Sequence, residues 1–322
     1  MNKKYVLGID IGGTKIAAAL VSDEGDVLKE IREPAGCKDF DSFLAPLDKV
    51  INEFIQYSAE MEYVISGIGL AVAGLIDFKK QMVLFSPNLP LQEASIGNIL
   101  EEKFDIPVLI DNDANCAAWA EKLIGAGRGK NDFICVTIGT GIGGGIIADG
   151  KLYRGAIGCA GEIGHMVVDT GGPLCGCGRA GCFEALASAH ALARKAACEA
   201  PDDSLIVKLV NGVRSEISGE IINEAARQGD VFARDLFAKI GRIIGSGIAS
   251  LINILNPEIV VIGGGLAGAS EFFLPAAREE IASQISVTGL HDTEVVLAQL
   301  GQRAGIIGAA FLARDELSLD QN

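Results

Sequence analysis

Tyr5-Val-Leu-Gly-Ile-Asp10-Ile-Gly-Gly-Thr-Lys15-Ile-Ala-Ala-Ala-Leu-Val21 decides how this chain is read. Residues 5–10 predict a buried strand and residues 16–21 a second one. The link between them is Ile11-Gly-Gly-Thr-Lys15. A glycine loop running from strand to strand is not the P-loop type, which opens a helix. Gly12 and Gly13 lack the β-carbons that keep a phosphate away from backbone N–H groups. Thr14 adds a hydroxyl and Lys15 a positive charge. Asp10 is a carboxylate placed to hold Mg2+, directly or through water. An ordinary hairpin uses glycine pairs too, so this turn alone leaves both readings open.

The pattern recurs. Asp23 to Asp26 is a turn and Val27 to Arg32 a third strand; further on, Phe133 to Ile138 is a strand and Gly139-Thr-Gly-Ile-Gly143 a turn. Gly144 to Ala148 and Lys151 to Tyr153 are strands joined by the hairpin turn Asp149-Gly150. The two units lie about 125–130 residues apart. Facing each other, they would set two phosphate-cradling turns on opposite walls of one cleft. Thr137, Thr140 and Gly141 are the second turn's candidates for a nucleotide. Five glycines between 139 and 145 weaken a strand unless something must approach it.

The remaining chain alternates helix and strand. Phe43, Leu44, Leu47, Val50, Ile51, Phe54 and Ile55 have helical spacing within 41–60. Val64 to Val72 and Ile106 to Asp111 are strands. Residues 231–255 and 303–314 are helices, and Gly241, Gly245 and Gly247 suggest close helix packing. Glu258 to Ile262 is a strand ended by Gly263-Gly264-Gly265. Those glycines either let an adenosine approach the strand end or simply turn the chain.

Cys175-Gly-Cys177-Gly-Arg-Ala-Gly-Cys182-Phe-Glu184 places three cysteines within eight residues, ten positions after His165. Three thiolates and an imidazole close a tetrahedral Zn2+ shell and leave no position for substrate, so such a metal is structural. Asp111-Asn112-Asp113-Ala-Asn115 ends a strand and opens a helix through Trp119. Asp113 is a natural helix cap, yet strand C-termini in α/β folds are also where ligands bind. Glu162 and Glu184 offer carboxylates to vicinal hydroxyls.

The 322 residues suffice for two domains and a large core. The net charge of −15 opposes nucleic acid and anionic membranes. No apolar run suggests a membrane span and no leader peptide is evident, so a cytoplasmic location is expected. A disulfide framework is not expected. Cys37, Cys116, Cys135, Cys159 and Cys198 read as residues without chemistry, and His190 and His291 as ordinary.

The cysteine segment and Gly161-Glu-Ile-Gly-His165 resemble the signatures of the ROK family of sugar kinases and repressors. Asp10 to Lys15 and Thr137 to Gly145 resemble its two phosphate motifs. The resemblance covers nearly the whole chain. It implies the duplicated actin-like α/β fold, with two domains around a cleft. The hinge is expected near 112: residues 1–112 with 302–322 form a small domain and 113–301 a large one carrying zinc. It implies ATP-dependent phosphorylation of a hexose at its terminal hydroxyl, with Asp113 as the base and Asn112 orienting the hydroxyl. Glucose is the first choice, N-acetylmannosamine the second, fructose or allose behind. Gly74, Asn88, Glu162, His165 and Glu184 carry over as sugar contacts. Ala73 stands where the family has proline, and Leu91-Gln-Glu93 where it has Gly-Trp. ATP, Mg2+ and structural Zn2+ are the implied cofactors, and a homodimer or higher homo-oligomer the implied assembly. A sugar-responsive repressor is the other class. Repressors carry a helix-turn-helix first, for which a strand starting at Tyr5 leaves no room. A zinc-ribbon interaction module is excluded by the two phosphate turns.

Overall fold

The structure, a computed structural model, describes residues 3–35, 38–285 and 292–319. Cys37 and His291 lie outside the described residues. The first repeat comprises β1 (Lys4–Ile11), β2 (Lys15–Val21), β3 (Val27–Pro34), α1 (Phe40–Glu60) and β4 (Val64–Val72). A small antiparallel sheet follows, β5 (Leu75–Asp77), β6 (Met82–Phe85) and β7 (Gln92–Ala94). Then come α2 (Ile96–Phe104), β8 (Val108–Asn112) and α3 (Asp113–Ile124). The second repeat has β9 (Phe133–Ile138), β10 (Ile142–Ala148) and β11 (Lys151–Leu152). Helices α4 (Phe183–Ala187), α5 (Ala189–Glu199), α6 (Leu205–Leu209), α7 (Gly219–Arg227) and α8 (Val231–Leu255) come next. The described chain closes with β12 (Ile259–Gly263), α9 (Ser270–Gln284), β13 (Glu294–Leu297) and α10 (Ala304–Leu319).

The two large sheets have the orders β3-β2-β1-β4-β8 and β11-β10-β9-β12-β13. Counted within each repeat, both run third, second, first, fourth, fifth. The duplication visible in three strands thus extends to all five. In each sheet the first strand pairs parallel with the fourth, and the fourth with the fifth. The small sheet, α2, α4 to α7, α9 and β13 carry weaker sequence patterns.

By packing, the chain divides into Met1–Asn131 with Gly145–Gly161 and Gln299–Asn322, and Asp132–Gly144 with Glu162–Ala298. Residues 113–131 thus go with the first unit, unlike a cut at 112. The reason is local. Cys116 and Ala120 of α3 share an apolar core with Ile306, Ala310 and Phe311 of α10. Gly8 of β1 and Gly69 of β4 let α10 lie against the sheet, because a β-carbon at either would overlap its backbone carbonyls. The opposite sheet face packs on α1 through Phe43, Leu47, Val50 and Phe54.

In the second unit α8 is the central helix. It is long and apolar enough to cross a membrane. Its Leu236, Phe237, Ile240, Ile244, Ile248 and Ile252 are instead buried in the core of that unit. Gly241 and Gly245 let α9 approach closely, since a β-carbon at either would overlap α9 backbone. Gly247 faces the ring of Phe183, with 2.8 Å between that ring and a β-carbon built there. This contact seats the segment carrying Cys182 and Glu184 on the core.

Candidate active site and metal centre

In the first unit, the β1–β2 hairpin carries Asp10 at the end of β1 and Thr14 and Lys15 exposed at its tip. The Gly12 N–H donates to the Lys15 carbonyl (3.0 Å), so it is committed to the hairpin. Gly13 touches Asn88: a β-carbon on Gly13 would lie 2.8 Å from the Asn88 β-carbon. The glycine that reads as room for phosphate therefore also makes room for a sugar-contact candidate. Asp10 lies against the first turn of α10, where a β-carbon on Gly305 would come within 2.8 Å of its Oδ2.

Asp113 follows β8 and is the first residue of α3; the cap is Asn112, not Asp113. The Asn112 side-chain oxygen accepts from the N–H groups of Ala114 (2.9 Å) and Asn115 (3.2 Å), and its Nδ2 donates to the Gly74 carbonyl (3.1 Å). Gly74 has φ 153°, a backbone state that side chains rarely adopt. The Asn112 amide thus fixes Gly74 and the helix start. Asp113 is freed from capping, and one of its oxygens accepts the Ala114 N–H at 3.0 Å. Burial raises its pKa above the ordinary carboxylate value, against the pull of that N–H. Asp10 is raised further, to about 7, by burial and then by the charge of Asp113, with Lys15 and Arg32 pulling it down.

Sequence reading missed what holds the strand end that delivers Asp113. Asp111, buried at the end of β8, accepts from Arg154 Nε (2.7 Å), Asn115 Nδ2 (2.8 Å) and the Asn112 N–H (2.7 Å). Arg154 also reaches Glu316 (3.0 Å) and lies over the Phe78 ring. An acid closing the apolar run Val108-Leu-Ile is the available signal, because a buried acid calls for a partner.

In the second unit, Thr137 pairs with Gly263 across β9 and β12. Gly139 lies beside Gly265, 3.8 Å from its backbone nitrogen to a β-carbon built on Gly139. Gly264 has φ 84°. The structure therefore brings both nucleotide candidates of this unit to one strand end, with Thr140, Gly264 and Gly265 exposed. Gly141 is different: its missing β-carbon leaves space for the Glu184 carboxylate. Gly145, where α3 approaches, serves packing.

His165 ends a 3₁₀ turn (Ile163–His165) that begins after the exposed Glu162. Its Nδ1 lies 3.7 Å from the Cys175 sulfur, and the Cys177 and Cys182 sulfurs are 3.6 Å apart. All four donor atoms fall within 4.8 Å of one another. The loop is folded by the Cys175 N–H to Arg179 (2.8 Å) and the Gly181 N–H to Pro173 (2.8 Å). Arg179, foremost through its backbone N–H, lowers the Cys177 thiol, while burial raises Cys182.

The family model for the ROK family matches residues 6–316. A glucokinase of Streptomyces coelicolor is 36% identical over 314 residues, 96% of this chain and 97% of that protein. A xylose repressor of Caldicellulosiruptor bescii is 34% identical over 98% of this chain and 80% of its own length. The crystal structure of a ROK glucokinase from Streptomyces griseus, in complex with glucose and AMPPNP, superposes with a TM-score of 0.83. It is 37% identical, over 97% of this chain and 99% of that one. This chain belongs to the ROK family.

The ROK fold is accordingly the duplicated actin-like α/β arrangement. The donor set of this ROK protein fits a metal. Tetrahedral Zn2+ at about 2.3 Å from sulfur and 2.0–2.1 Å from nitrogen sets its ligands roughly 3.5–3.8 Å apart, and the His165–Cys175 and Cys177–Cys182 pairs fall there. His165 Nδ1 faces the sulfurs, which leaves Nε2 for a second partner. Asp10 suits Mg2+, which prefers carboxylate and water oxygens. A cation beside Asp10 would also offset the mutual repulsion of two half-buried carboxylates.

Proposed function

We propose that this ROK protein transfers the γ-phosphoryl group of ATP to the terminal hydroxyl of glucose. The observation that carries this is Asp113, a carboxylate with raised basicity released from capping by Asn112, in a chain so similar to a glucose- and AMPPNP-binding glucokinase. Asp113 accepts the proton of the sugar hydroxyl as that oxygen attacks phosphorus. The bond to the β-phosphate breaks and ADP leaves with its electron pair. Mg2+, when bound, neutralises phosphate charge, and Asp10 holds it. Lys15, Thr14 and the second turn at Thr140 and Gly141 hold the triphosphate, and Gly263 to Gly265 the adenosine. Asn88, Glu162, Glu184 and the Nε2 of His165 hold the sugar hydroxyls. Catalysis is then mainly positioning and charge stabilisation.

The metal is structural zinc, held by His165, Cys175, Cys177 and Cys182. The protein works in the cytoplasm, where ATP is made and spent, as a homodimer or higher homo-oligomer; light scattering tests the assembly. A coupled kinase assay over glucose, N-acetylmannosamine, fructose and allose, with ATP and polyphosphate as donors, tests the activity. Highest kcat/KM for glucose with ATP is expected. A preference for N-acetylmannosamine would replace the sugar and keep the kinase. No turnover with any pair, joined to sugar-dependent DNA binding, would favour the repressor class.

A further inference from the structure

Glu184 does more than face a sugar. Its Oε2 accepts the backbone N–H of Ile142 at 2.9 Å, at the end of the second glycine turn. That oxygen occupies the space a β-carbon on Gly141 would need. The other oxygen lies 4.0 Å from the Cys175 sulfur. Glu184 is also two residues past Cys182, and Phe183 between them is fully buried against α8. The same segment grips the turn a second time, where the Ala189 N–H donates to the Gly139 carbonyl at 2.8 Å. Beneath the loop, Cys175, Cys182 and Ala185 form a small apolar cluster beside the main core that holds Ile163 and Phe183. The loop that leads into Glu184 is held by backbone hydrogen bonds, among them Val168 N–H to Gly181 (2.9 Å) and Phe183 N–H to Met166 (2.8 Å), and its sulfurs converge on the four-donor cluster.

We propose that Glu184 is a positioning residue that ties the second phosphate turn to the metal centre, so that the metal sets the shape of the nucleotide site as well as the sugar site. A carboxylate bonded to a backbone N–H is stronger than a neutral pair. One oxygen holds Ile142 and the turn keeps its curvature; the other remains for a hydroxyl. Loss of the metal loosens the loop, Glu184 withdraws, and the Ile142 N–H opens to solvent.

The nucleotide arm of the test rests on the kinase reading; the exchange arm does not. Amide hydrogen exchange across residues 139–145 is followed in the metal-loaded protein, after chelation, and in Glu184→Ala and Glu184→Gln. AMPPNP affinity is measured on the same samples without sugar, and metal content confirms the state of each. Chelation and Glu184→Ala are expected to speed exchange in this turn about tenfold, with β12 unchanged, and to weaken AMPPNP about tenfold, as loss of a bond to a charged group implies. Glu184→Gln keeps an oxygen that can accept from Ile142. It is expected to retain turn protection and AMPPNP affinity while losing sugar affinity. That rescue separates positioning from mere structural support. If Glu184→Ala does not fold, Glu184→Asp, one methylene too short, takes its place. Wild-type protection in the alanine or aspartate variant overturns the proposal, as does a glutamine variant as exposed as alanine. The expected exchange pattern in a protein that binds no AMPPNP upholds the tie and overturns the kinase reading.

Discussion

In the first glycine turn, the space left by Gly13 is taken by Asn88; in the second, the space left by Gly141 is taken by Glu184. The two turns are alike in composition and differ in what supports them. The first stands on a packed core. Its sheet is covered by α1 on one face and α10 on the other, and the Asp111–Arg154 pair braces the strand that delivers Asp113. The second is flanked by Ile138 and Ile142, both buried in the core of the second unit, and is gripped besides by Glu184, which follows the four-donor cluster. Each unit also carries ionisable groups that burial disfavours. In the first, burial raises Asp10 and Asp113. The three cysteines and His165 converge as four donors that fit a closed shell.

Replacing Asp113 by Asn puts the sharpest strain on that division. The amide oxygen can still accept the Ala114 N–H, but it cannot take a proton. Turnover is expected to fall by about 10²–10⁴, with glucose affinity retained by calorimetry. Near-normal turnover would move the chemistry elsewhere. Breaking the brace comes next. Asp111 is nearly inaccessible, so Arg154→Ala leaves a buried carboxylate without its cation. A loss of about 3 kcal/mol in denaturant unfolding is expected, the low end for a broken buried pair. A change under 0.5 kcal/mol, within what surface substitutions show, would mean that the first unit does not depend on it.

The second unit should answer to metal instead. Cys177→Ala, or strong chelation, is expected to remove about one Zn2+ per chain, the content of a single tetrahedral shell, and to raise the glucose KM at least about tenfold, within the range for disturbed metal sites. The main core, built on α8 and α9, should keep its cooperative melt. A full complement of other metals, or none, would revise the centre; an unchanged KM would detach it from the sugar.

The sequence makes some of this contrast visible and hides the rest for physical reasons. Strands and turns repeated at a fixed distance show the duplication, because periodicity is local. Cysteine spacing shows the four-donor cluster, because a short loop brings its own donors together. The role of Asn112 as cap is harder to see: Asp111, Asn112 and Asp113 are all good caps, and the place where β8 ends chooses between them. Gly141 reads as space for phosphate, yet its neighbour is Glu184, 43 positions away. Arg154 follows the second repeat but pairs with Asp111 at the end of β8. Such contacts follow from chain topology, which residue spacing does not encode. The raised pKa of Asp113 is invisible for the same reason, since burial is a property of the assembled fold.

The smallest expected effect is on the pH dependence of stability. Asp10 has a folded-state pKa of about 7, above its unfolded value of 3.8. Between those values the folded protein holds the proton more tightly than the unfolded chain. Stability from this group is therefore fully present below the unfolded pKa and is lost as pH rises through the folded one. Melting temperatures measured from pH 5 to pH 8 without Mg2+ should fall for the wild type relative to Asp10→Asn, whose amide does not titrate. The relative drop should be a few degrees, at most about 2.6 kcal/mol for a shift of this size. Millimolar Mg2+ should restore more of the wild-type loss at pH 8 than at pH 5, because the cation needs the ionised carboxylate. Chelating the cysteine-bound metal should leave the pH slope unchanged, since that centre holds no part of Asp10. Parallel wild-type and Asp10→Asn curves would mean that Asp10 is already balanced by Lys15 and Arg32. The first unit would then be as settled without its cation as the second is with one.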